Sequence, residues 1–318
     1  MSQTYDVATN LSFFTSQLDN MDPEIHKPIT NVTWGQAINI RPGLQMSDES
    51  TSFIRTAWGG QGTLELGGIP WITQSTSDFP TVSLTGERIM TPMRKAGRMI
   101  TYTQFELEKA QREGRNLDAE KVEALHELYQ LGIDKMVYMG DATLDTTEHK
   151  CRGLLNSDLV TTTDADNTFD QLDADQIVEE INGLIELVWS QTAYSLMPNT
   201  IILPPSVYVM LATTKYSSNG EKTILTFLKD NCLATVQTGT APKFMPCVWA
   251  SKASATGKGR IAAYVNELRQ VRFNMVPIRR EQSYIDKAIY YNCPYTWALG
   301  EVEWVRPQTA AYLDGVTA

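Results

Sequence analysis

A chain of 318 residues has room for one large or two modest domains, and 42% hydrophobic residues suffice to bury an ordinary globular core. A net charge of -10 excludes a dedicated nucleic-acid binder, which needs Lys and Arg in excess to neutralise phosphates; the local basic strip Met93-Arg94-Lys95 to Arg98 is the exception. The first thirty residues carry no apolar run of signal-peptide or membrane length, because Asp6, Asp19, Asp22 and Glu24 interrupt them, so the chain reads as soluble and made in a cytosol.

Residues 1–50 read as an arm. Short apolar clusters such as Leu11, Phe13 and Phe14 alternate with Pro23, Pro28 and Pro42, and only Val7 to Leu18 sustains a period long enough for an element. Such a segment buries little by itself, so its apolar residues need a surface supplied by the rest of the fold or by another chain.

Extended structure follows. Strands are predicted at 53–58, 63–66, 71–73, 82–84 and 88–90, punctuated by Gly59, Gly60, Gly62, Gly67 and Gly68 and by Pro70, Pro80 and Pro92. This is a long hairpin-like excursion. Its glycines serve turns and bulges and not a phosphate cradle, since neither GxGxxG nor GxxxxGK[ST] occurs and no helix follows directly.

A short helix is predicted over 103–112, ended by Gly114, and a long one over 116–139, capped by Asn116 with Asp118 and Glu120 in its first turn. The long helix carries an apolar seam at Val122, Leu125, Tyr129, Gly132, Met136 and Met139, widened by Leu128 and Leu131. At ~1.5 Å per residue it would run roughly 36 Å, enough to act as the backbone of a domain. Met139-Gly140-Asp141 ends it, and Gly153-Leu154-Leu155-Asn156 comes a short loop later.

The polar run Thr161 to Asp166 reads as a linker. Asp164, Asp166 and Asp170 fail as a calcium loop, because Phe169 stands where a glycine is required and Asp175 at the twelfth position. Asp173 then caps a helix with Ile177, Ile181, Leu184, Ile185 and Val188 on one stripe. Thr200 to Leu203 is a buried strand stopped by Pro204-Pro205, and 206–213 and 223–231 are helical. Strands are predicted at 248–250, 261–265, 271–276, 285–293 and 297–305, with Gly257-Lys258-Gly259 as a plain turn.

Chemistry is sparse. Cys151, Cys232, Cys247 and Cys293 are scattered without a CxxC pair, which fits buried thiols in a reducing compartment and neither a zinc site nor a disulfide frame. Of the three histidines, His26 lies in the arm, His126 beside the seam of the long helix, and His149 in a loop next to Lys150-Cys151. Only Cys151 with His149 offers a nucleophile and base, and sequence adjacency says little about geometry.

The order of segments resembles the major capsid proteins of tailed double-stranded-DNA bacteriophages, the HK-ninety-seven-type capsid fold. The resemblance covers nearly the whole chain. It rests on Tyr102-Thr103-Gln104-Phe105-Glu106-Leu107, on Gly140-Asp141 followed by Gly153-Leu154-Leu155-Asn156, and on Ile201-Ile202-Leu203-Pro204-Pro205-Ser206-Val207-Tyr208, taken in that order. It implies an α+β fold with an N-terminal arm (1–50), an extended loop (51–100), a peripheral domain (101–169) with a spine helix at 116–139, and an α+β axial domain (170–265). Strands in 266–318 would return to the peripheral domain, with the last residues rejoining the axial one as the alternative.

The implied function is structural and not enzymatic: self-assembly as hexamers and pentamers into an icosahedral shell, with no catalytic, cofactor-binding or metal residues and no cofactor. The implied partners are the chain itself and scaffold, portal and decoration proteins. Double-stranded DNA is enclosed without sequence-specific binding, and no membrane is involved. The implied place is the virion capsid, assembled in the bacterial host cytoplasm. No cleaved scaffolding segment precedes the arm, which implies a separate scaffold or none. The competing readings are an encapsulin-like cellular compartment enclosing a cargo protein and, from another class, a soluble α+β hydrolase using Cys151 and His149.

Overall fold

The computed structural model describes residues 30–60, 82–113, 117–146, 150–216, 222–287 and 289–317. The chain divides between Asn31 and Val32, and the larger unit, Val32–Ala318, carries the elements of the fold. It begins with one helical turn, α1 (Trp34–Ala37), whose first amide and that of Thr33 both donate to Asp134 Oδ1, at 3.0 and 2.9 Å. Ala37 and Ile38 are buried in the main core, so this part of the expected arm finds its apolar surface on its own chain.

Strand β1 (Ser50–Gly60) and strand β2 (Val82–Pro92) form an antiparallel ribbon paired from Ser50 with Pro92 to Gly60 with Val82. The two short strands expected at 82–84 and 88–90 are one. Gly86 stays in the ladder opposite Thr56, so here glycine marks neither a turn nor a break. The expected strands at 63–66 and 71–73 lie outside the described residues. Met93 alone separates β2 from β3 (Arg94–Thr103), and its amide donates to Glu49 O at 2.8 Å.

Thr103 then starts α2 (Gln104–Glu113). Its hydroxyl accepts from the Glu106 amide and the Glu106 carboxylate accepts from the Thr103 amide, both at 3.2 Å, a reciprocal cap that satisfies two otherwise orphaned donors. Gly114 and Asn116, expected as stop and cap, lie outside the described residues.

The long helix is α3 (Leu117–Tyr138), and its seam differs from the predicted one. Val122 and Leu125 pack with Ile100, Tyr102, Cys293 and Tyr295, whereas Tyr129, Ile133, Met136 and Val137 enter the main core. Gly132 and Leu128 face solvent instead. The helix changes neighbours along its length: the first half lies on a sheet, the second is enclosed on several sides, and no single stripe describes both. Leu125→Asp is therefore expected to abolish soluble folded subunit, by placing an unpaired charge in a dry site, while Leu128→Asp costs less than ~0.5 kcal/mol in urea unfolding. Equal effects of the two would show that the seam is misplaced.

The run read as a linker contains strand β4 (Thr161–Asp164), an edge strand with all four side chains exposed, so its polar composition conceals an extended backbone. Helix α4 (Ala174–Gln191) buries the predicted stripe, and Gln176 Oε1 accepts from the Asp173 amide at 2.9 Å at its start. Strand β5 (Thr200–Leu203) is wholly buried; Pro205 opens α5 (Pro205–Thr213), and α6 (Ile224–Asn231) and α7 (Leu233–Thr238) come after it.

After β6 (Lys243–Pro246) the apolar run 248–250 is not a strand but part of a 3₁₀ helix, Val248–Lys252. Val248 points outward while Trp249 Nε1 donates to Asp134 Oδ2 at 2.7 Å. Four strands come next: β7 (Arg260–Tyr264), β8 (Val271–Arg280), β9 (Tyr284–Asp286) and β10 (Tyr290–Trp304). The stretch 285–293 is thus a hairpin and not one strand, turning at Lys287 with φ 49°. Strand β11 (Ala310–Asp314), unpredicted, closes the chain.

Two larger sheets result. One runs β3-β10-β8 with β9 also on β10; the other runs β4-β11-β7-β5-β6. Strands β8 and β10 therefore join β3 in one sheet, whereas β11 lies between β4 and β7 in the other. The main core fills the space between α3, the 151–155 loop and strands of both sheets, and a second core lies between α4, α5, α6 and the five-stranded sheet.

Candidate assembly surface

Of the pair proposed for chemistry, the structure describes only Cys151. Cys151 is fully buried, burial pushes its thiol up to about 11, and its Sγ accepts from the Asp141 amide at 3.4 Å. A thiol held protonated in the core is a packing group, not a nucleophile. His149 lies outside the described residues and His126 is exposed on α3. All four cysteines are free and buried. Asp164, Asp166 and Asp170 line one groove together with Lys258, and among the described residues no group of three or more His, Cys, Asp or Glu could hold a metal ion. No helix among them is long and apolar enough to cross a membrane.

The Gly140 to Asn156 phrase is instead a junction. A helix leaves its last carbonyls without partners, and here the chain returns to satisfy them: Leu154 N donates to Val137 O at 2.7 Å, Leu155 N to Tyr138 O at 3.0 Å, and Asn156 Nδ2 to Met139 O at 2.7 Å. So close a crossing requires two glycines. Gly140 has φ 68°, and a Cβ there would meet Cys151 O; a Cβ on Gly153 would meet the Tyr138 and Met139 backbone.

The feature that invites a partner is the β1–β2 ribbon. A two-stranded ribbon is marginal alone, and the edge of a sheet is a natural place for another chain to pair. Among the described residues no third strand pairs with it. Ile54 is 69%, Val82 79%, Leu84 71% and Met90 54% exposed, far more apolar surface than one small element carries without being covered.

Its root, by contrast, is tied down. Thr51 Oγ1 donates to Glu303 Oε1 at 2.6 Å, an Arg41 guanidinium nitrogen donates to Ser52 O at 3.4 Å, and Arg55 donates to Trp304 O and Val305 O, each at 3.3 Å. The Arg272 guanidinium lies 5.7 Å from the centre of the Phe53 ring. One apolar extension is thus mounted on the body largely by polar bonds.

Known proteins share the fold. No curated protein sequence matches the chain. Among solved structures, the capsid of Myoviridae phage XM1 is similar over 94% of this chain and 97% of its own, with 21% identity and a TM-score of 0.78. A chain from Mycobacterium phage Adephagia is similar over 95% and 96%, at 10% identity and a TM-score of 0.63, and one from the capsid of a native GTA particle over 98% and 99%, at 10% and 0.60. At these identities the likeness establishes the fold, that of phage major capsid structures. The family model for the major capsid protein matches residues 68–316, most of the chain. The chain therefore belongs to the major capsid protein family and is a structural subunit of a capsid shell.

Proposed function

We propose that this chain assembles as hexamers and pentamers into the icosahedral shell of a tailed phage, enclosing its double-stranded DNA. The observation that carries this reading is the ribbon: exposed Ile54, Val82, Leu84 and Met90 are costly in a lone subunit and useful when they lie across a neighbour. In this reading β1 and β2 belong to the extended loop at 51–100, α3 is the spine of a peripheral domain with the β3-β10-β8 sheet, and the five-stranded sheet with α4 to α7 forms the axial domain. The net charge of -10 is compatible with containment, because a shell confines DNA without contacting each phosphate. The shell forms in the host cytoplasm with scaffold, portal and decoration proteins as further partners, and the subunit catalyses nothing.

Light scattering of the protein, expressed with any scaffold its genome supplies, is expected to show closed particles of megadalton mass. A monomer under every assembly condition would sink the reading. Leu84→Asp, on the exposed face of the ribbon, is expected to change subunit stability by less than ~0.5 kcal/mol while blocking particle formation. Normal particles from Leu84→Asp would remove the ribbon from the contact.

A further inference from the structure

Glu303 stands on β10 with its side chain wholly buried, and three other segments converge on it. Arg272 of β8 donates Nε to Oε2 at 2.7 Å, Arg41, upstream of β1, lies 3.5 Å from the same oxygen, and Thr51 of β1 donates to Oε1 at 2.6 Å. Asn274 Nδ2 donates to the same Thr51 hydroxyl at 2.8 Å. Thr51 and its cross-strand partner Thr91 are both buried, so the ribbon meets the body through polar side chains where an apolar wedge would be expected. On the other side Met93, a single buried residue belonging to neither β2 nor β3, is held by its amide bond to Glu49 O.

We propose that Glu303 is a positioning residue, the lock on a pivot: its bond to Thr51 sets the angle at which the β1–β2 ribbon leaves the body, and breaking that bond widens the range of angles left by the remaining ties, Arg41 to Ser52 O and Arg55 to Trp304 O and Val305 O, while both sheets stay folded. Hydrogen bonds are directional, and one to an ionised group fixes orientation as well as distance. A ribbon rooted in grease would slide; one rooted in a carboxylate held by two arginines has one preferred setting. The body side of the lock is over-determined, since Arg272 and Arg41 keep Glu303 in place after Thr51 lets go. The other charged groups nearby do not compete. Glu301, on the same face of β10, pairs with Arg94 at 3.0 Å, while Arg55 of β1, Glu87 of β2 and Lys150, Arg152 and Asp158 of the adjoining loop line the groove beside the root.

The lock is set at neutral pH. Burial pushes the Glu303 carboxyl up, but the hydrogen bonds from Thr51, Arg272 and Asn274 and the Arg272 charge outweigh it and hold the group below the ordinary carboxylate value. A carboxyl lowered in the folded state contributes fully above its unfolded value and loses that contribution as pH falls through the folded one, so release belongs to pH below the usual carboxylate range.

The test uses the full chain, unassembled, with spin labels on exposed Thr85→Cys of the ribbon and Arg269→Cys of the β7–β8 turn; the four native cysteines are buried. The label-to-label distance distribution is expected to be narrow in the otherwise unaltered chain. In Thr51→Val, which keeps the shape and removes the donor, it should gain a second population or at least about double in width, with the thermal midpoint moving by no more than ~5 °C. Glu303→Gln is the second variant and should broaden in the same sense. Acidification should broaden the unaltered chain but not further broaden Glu303→Gln. Unchanged distributions in both variants overturn the proposal, as does failure of both to fold, because a pivot is dispensable to the sheets it joins. Since nothing is assembled in the measurement, its failure leaves the shell reading intact.

Discussion

Asp314→Ala is expected to cost ~3–5 kcal/mol, a large share of the ~5–15 kcal/mol that holds a domain together, because it strands a buried guanidinium. Arg260 and Asp314 are both about nine-tenths buried and paired across β7 and β11 by two bonds of 2.5 and 2.7 Å. Arg260 also donates to Leu155 O at 2.6 Å and lies 4.5 Å from the centre of the Tyr312 ring. The pair therefore joins the five-stranded sheet to the loop that leaves α3. The loss should appear as a lower urea midpoint at unchanged slope. Replacing both partners, Arg260→Met with Asp314→Leu, should recover about 2 kcal/mol of it, the remaining ~1–3 kcal/mol reflecting the Leu155 carbonyl left without a donor. A single-variant cost under ~1 kcal/mol would mean that water reaches the pair and that it is an ordinary surface bridge.

Where an element obeys one period and one environment, its sequence displays it. Helix α4 faces a single core, between the five-stranded sheet and the helices α6 and α7, so its whole stripe from Ile177 to Val188 is buried as expected, and β5 is bounded by prolines that cannot continue it. Helix α3 is sandwiched, so the period identifies a helix but misses Ile133 and Val137, both fully buried, and includes Leu128, which is exposed. Strand β11 is interior to its sheet and buried at every residue, so it shows no alternation to detect. The turn at Lys287 has a positive φ without glycine, asparagine or proline to announce it.

The candidate surface was half legible. The ribbon shows in the punctuation of residues 53–90, whereas its root joins Thr51 to Glu303 across 252 positions and carries no local signal. The resemblance to capsid proteins added what local rules lack, an order of segments. The physical content of its Gly-Asp and Gly-Leu-Leu-Asn phrases appears only when their partners are seen.

Gly153→Ala is expected to cost more than ~4 kcal/mol and to leave little soluble subunit, beyond the ~1–3 kcal/mol of ordinary overpacking. The added methyl would meet the carbonyl of Tyr138 and the amide of Met139, which are backbone and cannot rotate away. Moving the loop aside is costly, because it is held on two sides. Leu154 and Leu155 donate their amides to the last turn of α3 and offer their carbonyls to Tyr312, at 2.6 Å, and to Arg260. A shift large enough to admit the methyl breaks bonds to the helix or to the sheet, and each carbonyl or amide stranded adds its own desolvation cost. Asn156→Ala provides the graded control: it removes only the side-chain bonds to Met139 O and from Gly153 N, both 2.7 Å, and should cost ~1–3 kcal/mol with the fold retained. The order of the two variants in urea midpoint is the measurement. If Gly153→Ala unfolds at the same midpoint as the unaltered chain, the loop has slack, and the link between α3 and the five-stranded sheet does not run through this crossing.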